Sequence, residues 1–220
     1  MRIVSSAMLI LAFASTAALS AENTLAKAPI RPHIIGGTDA RIEDYPYQVQ
    51  LAYNSSDHRQ ASTCGGSVIS ASWILTAAHC IRVSGSSPDP NEFTVFTGAS
   101  IMPDNGTPNS VAKVVIHPKY SGSATLYNDI ALVKLAEPLQ PFSAVQLAPL
   151  GLEVSGNVTV TGFGKTSDSS TDNNKQLKKA TLPVVKNDVC SQLPGYGGRV
   201  LPTMMCAGYL SGSPLYMRRG

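Results

Sequence analysis

Hydrophobic and polar positions alternate in short bursts along most of this chain. Runs rich in branched and aromatic residues recur at Tyr47–Leu51, Ser67–Ile69, Trp73–Leu75, Phe93–Phe96, Val111–Ile116, Ile130–Leu135, Val158–Thr161 and Ala180–Val185. Clusters of Gly, Pro, Asn and Ser separate them, as turns separate strands. No long 3.6-residue period competes, and one helical turn is expected around Lys186–Gln192. Many short strands with turn-rich spacers predict an all-β sandwich or barrel. The stretch 136–150, AEPLQPFSAVQLAPL, carries three prolines and little alternation. It marks a boundary between a first unit of about 34–140 and a second of about 145–220.

The pattern before Ile34 is different. Arg2 precedes eight apolar residues, Ala7 to Ala14, and Ala18-Leu19-Ser20 offers small residues for cleavage before Ala21. Residues 1–20 therefore read as a signal peptide. Residues 21–33 are polar, contain Pro29 and Pro32, and read as a pro-segment. Nothing later approaches the roughly 20 apolar residues a membrane helix needs. A secreted, extracellular protein is expected, with no membrane partner. Four cysteines suit an oxidising compartment, and Asn54, Asn105 and Asn157 open sequons for N-glycosylation.

Composition adds only exclusions. The 220 residues are 43% hydrophobic and 14% charged, enough apolar material for a core. A net charge of +3, scattered along the chain, gives no nucleic-acid footprint. No Cys-x-x-Cys or His-x-x-x-His spacing suggests zinc, so neither a metal nor a cofactor is expected.

Candidate chemistry sits in three places. In TAAHC, Thr76 to Cys80, His79 reads either as an ordinary half-buried histidine or as a fixed catalytic imidazole. The second reading needs an immobile backbone, because proton transfer requires a heavy-atom approach near 3 Å. A bridged Cys80 would supply it. Cys64 lies 16 residues upstream, and closing a loop of that length contributes about 3 kcal/mol in the chain-entropy model. In LYNDIALVKL, Asp129 stands at the mouth of an apolar strand. It is either a turn residue or a buried acceptor for an imidazole N–H. IIGG, Ile34 to Gly37, borders the pro-segment and is a strand start of little weight alone.

Taken in order, IIGG, Cys64-Gly65-Gly66-Ser67, Leu75-Thr76-Ala77-Ala78-His79-Cys80, His117-Pro118-Lys119-Tyr120, Asn128-Asp129-Ile130-Ala131-Leu132, Thr161-Gly162-Phe163-Gly164 and Met205-Cys206-Ala207-Gly208-Tyr209 are far more specific. The chain resembles the trypsin/chymotrypsin-like serine endopeptidases from about Ile34 to Gly212. The resemblance implies two antiparallel β-barrels with the active site in the cleft between them, the second barrel incomplete in this chain. It implies that His79 is the general base and Asp129 its orienting carboxylate. It also implies disulfides Cys64–Cys80 and Cys190–Cys206, and Ile34 as the N-terminus freed by zymogen cleavage. Protein or peptide substrates, protease inhibitors as further partners, and a monomeric state follow from the same likeness.

Two departures qualify it. The family continues from Cys-Ala-Gly-Tyr to Gly-Asp-Ser-Gly-Gly-Pro, which supplies the nucleophile, and these 220 residues contain no such motif. Counting from Cys206, the serine falls one position beyond Gly220. The tail SPLYMRRG, Ser213 to Gly220, reads neither as a closing strand nor as a capped helix. Such a chain is expected to be inactive by itself and to leave strand edges unpaired. The other departure is His33 before Ile34, where activation ordinarily follows a basic residue. The alternative function is a non-catalytic homologue acting as a secreted binding or decoy protein.

Overall fold

A computed structural model describes residues 37–53, 62–81, 88–102, 105–122, 127–164, 175–194, 196–210 and 216–218. The expected signal peptide and pro-segment, Ile34 and Asn54 lie outside them. The strands are β1 (Thr38–Asp39), β2 (Gln48–Tyr53), β3 (Ser62–Ser70), β4 (Trp73–Thr76), β5 (Phe93–Thr97), β6 (Thr107–Ile116), β7 (Ala131–Leu135), β8 (Asn157–Gly162), β9 (Lys178–Val185), β10 (Met205–Ala207) and β11 (Tyr216–Arg218). A short helix, α1, covers Asn187–Gln192. The all-β expectation holds.

Six of these strands close on themselves in the order β2-β3-β4-β7-β6-β5, all antiparallel. Alternation determines which side chains go inside. In β7, Ala131, Val133 and Leu135 are buried while Lys134 points to solvent. Phe93 and Val95 of β5 and Val49, Leu51 and Tyr53 of β2 join them, with Val68, Ile74, Ala78, Ile81 and Val111, in one core. Closure demands a tight approach at Gly66 of β3, which faces Val49. A Cβ there would lie 2.9 Å from Ile74 Cγ2, 3.0 Å from Val49 Cγ2 and 3.1 Å from the Leu75 carbonyl.

The remaining strands form an open five-stranded sheet around β9. From Lys178 to Pro183, β9 pairs with β8. Its other edge is shared by β1, opposite Lys178 and Lys179, and β10, opposite Val184 and Val185. The segment before the barrel thus lies with the second sheet. Ala40 and Ile42 pack there on Leu177. Gln48 links the two units: its Nε2 donates to the Val49 carbonyl (2.9 Å), and its Oε1 accepts from Thr161 Oγ1 of β8 (2.7 Å).

One expectation is overturned. The tail does supply a strand, because Tyr216–Arg218 pairs antiparallel with Met205–Ala207. An isolated β10 would present unpaired N–H and C=O groups on its outer edge, and the returning chain satisfies them. The boundary stretch, by contrast, is irregular. It and the residues that follow it leave Phe142, Leu147, Leu150, Leu152 and Val154 exposed.

Candidate active site

The site grows out of one rung of the barrel. Thr76, the last residue of β4, stands opposite Ala131, the first of β7. The chain leaving β4 and the chain entering β7 therefore run side by side. After Thr76 the backbone tightens into a single 3-10 turn, Ala78–Cys80. Two fully buried residues, Ala78 and Ile81, pin that turn to the core. Thr76 Oγ1 donates to the Gly65 carbonyl at 2.8 Å. The Cys64–Cys80 disulfide then ties the turn to β3 (S–S 2.05 Å, Cα–Cα 6.1 Å). His79, between the anchors, keeps its side chain half exposed.

In the turn that leads into β7, Asn128 adopts a left-handed backbone (φ 56°), a conformation asparagine tolerates better than most residues. Its Nδ2 donates to the Lys119 carbonyl at 2.9 Å. This turn drives Asp129 inward, where it is 4% exposed. Asp129 Oδ1 accepts from the His79 backbone N–H at 2.8 Å, and Oδ2 contacts His79 Nδ1 at 2.7 Å. Burial pushes the Asp129 carboxyl toward the neutral form. The hydrogen bonds from the His79 ring and backbone, the His79 charge and the Ala78 N–H outweigh it, so its pKa lies below the ordinary aspartate value. An ionised carboxylate can only accept, so Nδ1 carries the hydrogen and the neutral ring leaves Nε2 as its proton acceptor. Nε2 lies 3.5 Å from Cys80 Sγ.

Cys190 of α1 and Cys206 of β10 form the second disulfide (S–S 2.01 Å), buried beside Val185 and Tyr196. Asn105 and Asn157 are exposed, the latter at the first position of β8. Ser67 is a ladder residue of β3, opposite Gln48 and Leu75. Ser211 and Ser213 lie outside the described residues. Cys64, His79 and Cys80 bring their donor atoms within 4.8 Å of one another. With both sulfurs bonded to each other, neither is a thiolate, and only the imidazole is left for a cation. Sequence reasoning missed the supports: the Thr76 hydroxyl, the Ala78 N–H and the left-handed Asn128. Only Asn128, an asparagine in a turn before an apolar strand, carried a local signal.

A sequence model described as Trypsin matches residues 34–220. The chain belongs to the trypsin family. It is 36% identical over 191 residues to a trypsin of Simulium vittatum, covering 84% of this chain and 74% of that one. It is similar to two mouse proteins named transmembrane protease serine 11E and 11C, at 33% and 36% identity over 185 residues. This trypsin-family chain spans only 41% and 40% of their lengths. Among solved structures it resembles a scabies mite inactivated protease paralogue, S-D1, with TM-score 0.69 and 26% identity over 80% of this chain and 74% of that one. No helix among the described residues is long and apolar enough to cross a membrane.

Proposed function

We propose that this chain is the peptidase domain of a secreted serine endopeptidase, with His79 as general base and Asp129 as the carboxylate that orients it. The observation that carries this reading is the double grip of Asp129 on His79, through backbone N–H and ring Nδ1. A turn residue needs one such bond. Two of them fix both the position and the tautomer of an imidazole that must take a proton from a nucleophile. The complete reaction is acyl transfer: a serine attacks the peptide carbonyl, His79 accepts its proton and returns it to the leaving amine, and water repeats the cycle. The 220 residues hold base and carboxylate but no Gly-Asp-Ser-Gly nucleophile.

In this reading residues 1–20 direct secretion, and cleavage before Ile34 activates the zymogen. With His33 at that bond, the activator does not require a basic residue. Glycans at Asn54, Asn105 and Asn157 accompany secretion, and the exposure of Asn105 and Asn157 supports two of the three. Substrates are proteins or peptides, protease inhibitors are further partners, and the protein acts as a monomer without cofactor.

A second reading has its own support. The similar solved structure is an inactivated protease paralogue, and a secreted binding or decoy protein could keep the dyad without a nucleophile. Transcript sequencing past codon 220 separates the two. An open frame that resumes with Gly-Asp-Ser-Gly-Gly supports the endopeptidase; a stop in every transcript supports the decoy. Purified 220-residue protein should not react with a fluorophosphonate probe, and labelling would refute the absence of a nucleophile.

A further inference from the structure

The two disulfides sit in opposite surroundings. Cys190 and Cys206 are each 1% exposed and packed in an apolar cluster. Cys64 and Cys80 are half-buried at the surface, with Cys64 between the exposed Thr63 and Gly65 on β3. Among the described residues, only Cys80 has a ring nitrogen within hydrogen-bond reach of its sulfur: His79 Nε2, at 3.5 Å. That imidazole is braced from behind by Asp129, whose Oδ2 holds Nδ1–H at 2.7 Å. A base braced in this way, aimed at one sulfur of a disulfide, is also an acid aimed at that sulfur when the ring is protonated.

We propose that Cys64–Cys80 is a site of reversible S-thiolation, opened by small thiols at Cys64 while His79 protonates the departing Cys80 sulfur. The external thiolate forms a new S–S bond with Cys64 Sγ. The Cys64–Cys80 bond breaks, its electron pair goes to Cys80 Sγ, and the proton on His79 Nε2 moves to that sulfur. The products are a mixed disulfide at Cys64, a free Cys80 thiol and neutral His79. The external thiol is oxidised and the protein disulfide reduced, so the electrons balance. In the reverse direction His79 removes the Cys80 proton, and the thiolate displaces the external thiol from Cys64.

Direction and selectivity both follow from placement. Exchange is faster when the departing sulfur is the better leaving group, and a proton donor beside Cys80 makes it that one. Attack at Cys80 would instead expel Cys64, whose sulfur lies within 4.8 Å of the same imidazole but, among the described residues, makes no hydrogen bond to it. This chemistry uses no serine, so it is independent of the proposed endopeptidase activity. It gives the His79–Asp129 pair a reaction in the 220-residue form itself.

The test is limited reduction of the folded, full-length protein with glutathione at neutral pH, quenched in acid and mapped by peptide mass spectrometry. The expected first product carries glutathione on Cys64 and a free thiol on Cys80, with Cys190–Cys206 still closed. His79→Gln should slow that step by about a hundredfold or more, the low end for a positioned general acid, with Cys190–Cys206 unaffected. Glutathione on Cys80, prior opening of Cys190–Cys206, or an unchanged rate in His79→Gln would overturn the proposal. Should the variant fail to fold, the position of glutathione in the wild-type protein decides alone.

Discussion

Replacing Asp129 with Asn isolates what the carboxylate does, since shape and volume barely change. The native oxygens take two hydrogen bonds from His79, at 2.8 and 2.7 Å, in a site 4% exposed. A hydrogen bond to a charged group contributes about 1.5–3 kcal/mol, against about 1 kcal/mol for a neutral one. The amide keeps one neutral acceptor for the backbone N–H, and its NH2 must face Nδ1. Charge assistance is lost twice, at a cost of about 1–4 kcal/mol, while relief from burying a charge returns part of it. The net expectation is a loss of about 1–2 kcal/mol at pH 7, read by urea unfolding. Its pH dependence is the sharper readout. The folded pKa of Asp129 is depressed below its ordinary 3.8. Its stabilisation is therefore present above the unfolded value and disappears as pH falls through the folded one. Wild type and variant should differ fully at pH 7 and converge below pH 3.8, as the native carboxyl protonates. Nitrogen NMR should also show the His79 hydrogen moving from Nδ1 to Nε2, because the amide donates where the carboxylate accepted. A stability gap that stays constant from neutral to strongly acidic pH would refute the assignment of an ionised, doubly bonded Asp129.

Four further outcomes follow from the packing. Joint replacement of Cys64 and Cys80 by Ala should lower unfolding stability by about 3 kcal/mol in chemical denaturation, the loop-closure value for 16 residues. Gly66→Ala should cost about 1–3 kcal/mol, since its Cβ meets Ile74, Val49 and a carbonyl at once; a thermal melt within a degree of wild type would refute that crowding. Ile74→Ala, at a fully buried site, should cost about 2–5 kcal/mol in urea titration. Leu150→Ser, on the exposed linker, should change stability by less than about 0.5 kcal/mol while reducing light scattering on concentration.

The barrel was legible wherever one face is buried. β7 spans Ala131–Leu135 against an expected Ile130–Leu135, because Ala131, Val133 and Leu135 alternate with outward residues. β6 was read from Val111 and begins at Thr107. Its first residues, Thr-Pro-Asn-Ser, have no apolar alternation and include a proline, and only pairing with Thr94–Thr97 of β5 makes them a strand. β11 was missed for the same reason: three residues take strand geometry from an edge that needed a partner. At the site, His79 and Asp129 each had a commonplace local reading. What joins them is a contact between residues 50 positions apart, and periodicity carries no information about that distance. The order of motifs suggested the pairing, and the rung between Thr76 and Ala131 supplies its physical reason.

That rung also governs how the pair is inherited. His79 lies three residues past one end of it and Asp129 two residues before the other, and the described bonds that hold them all lie within the first barrel. The second sheet touches neither the turn nor the carboxylate through any of these bonds. His79 and Asp129 therefore travel as a single cassette, assembled by the strands that frame them and indifferent to edits downstream of β7. A descendant that keeps β3, β4 and β7 keeps the cassette intact, whatever becomes of the half that follows.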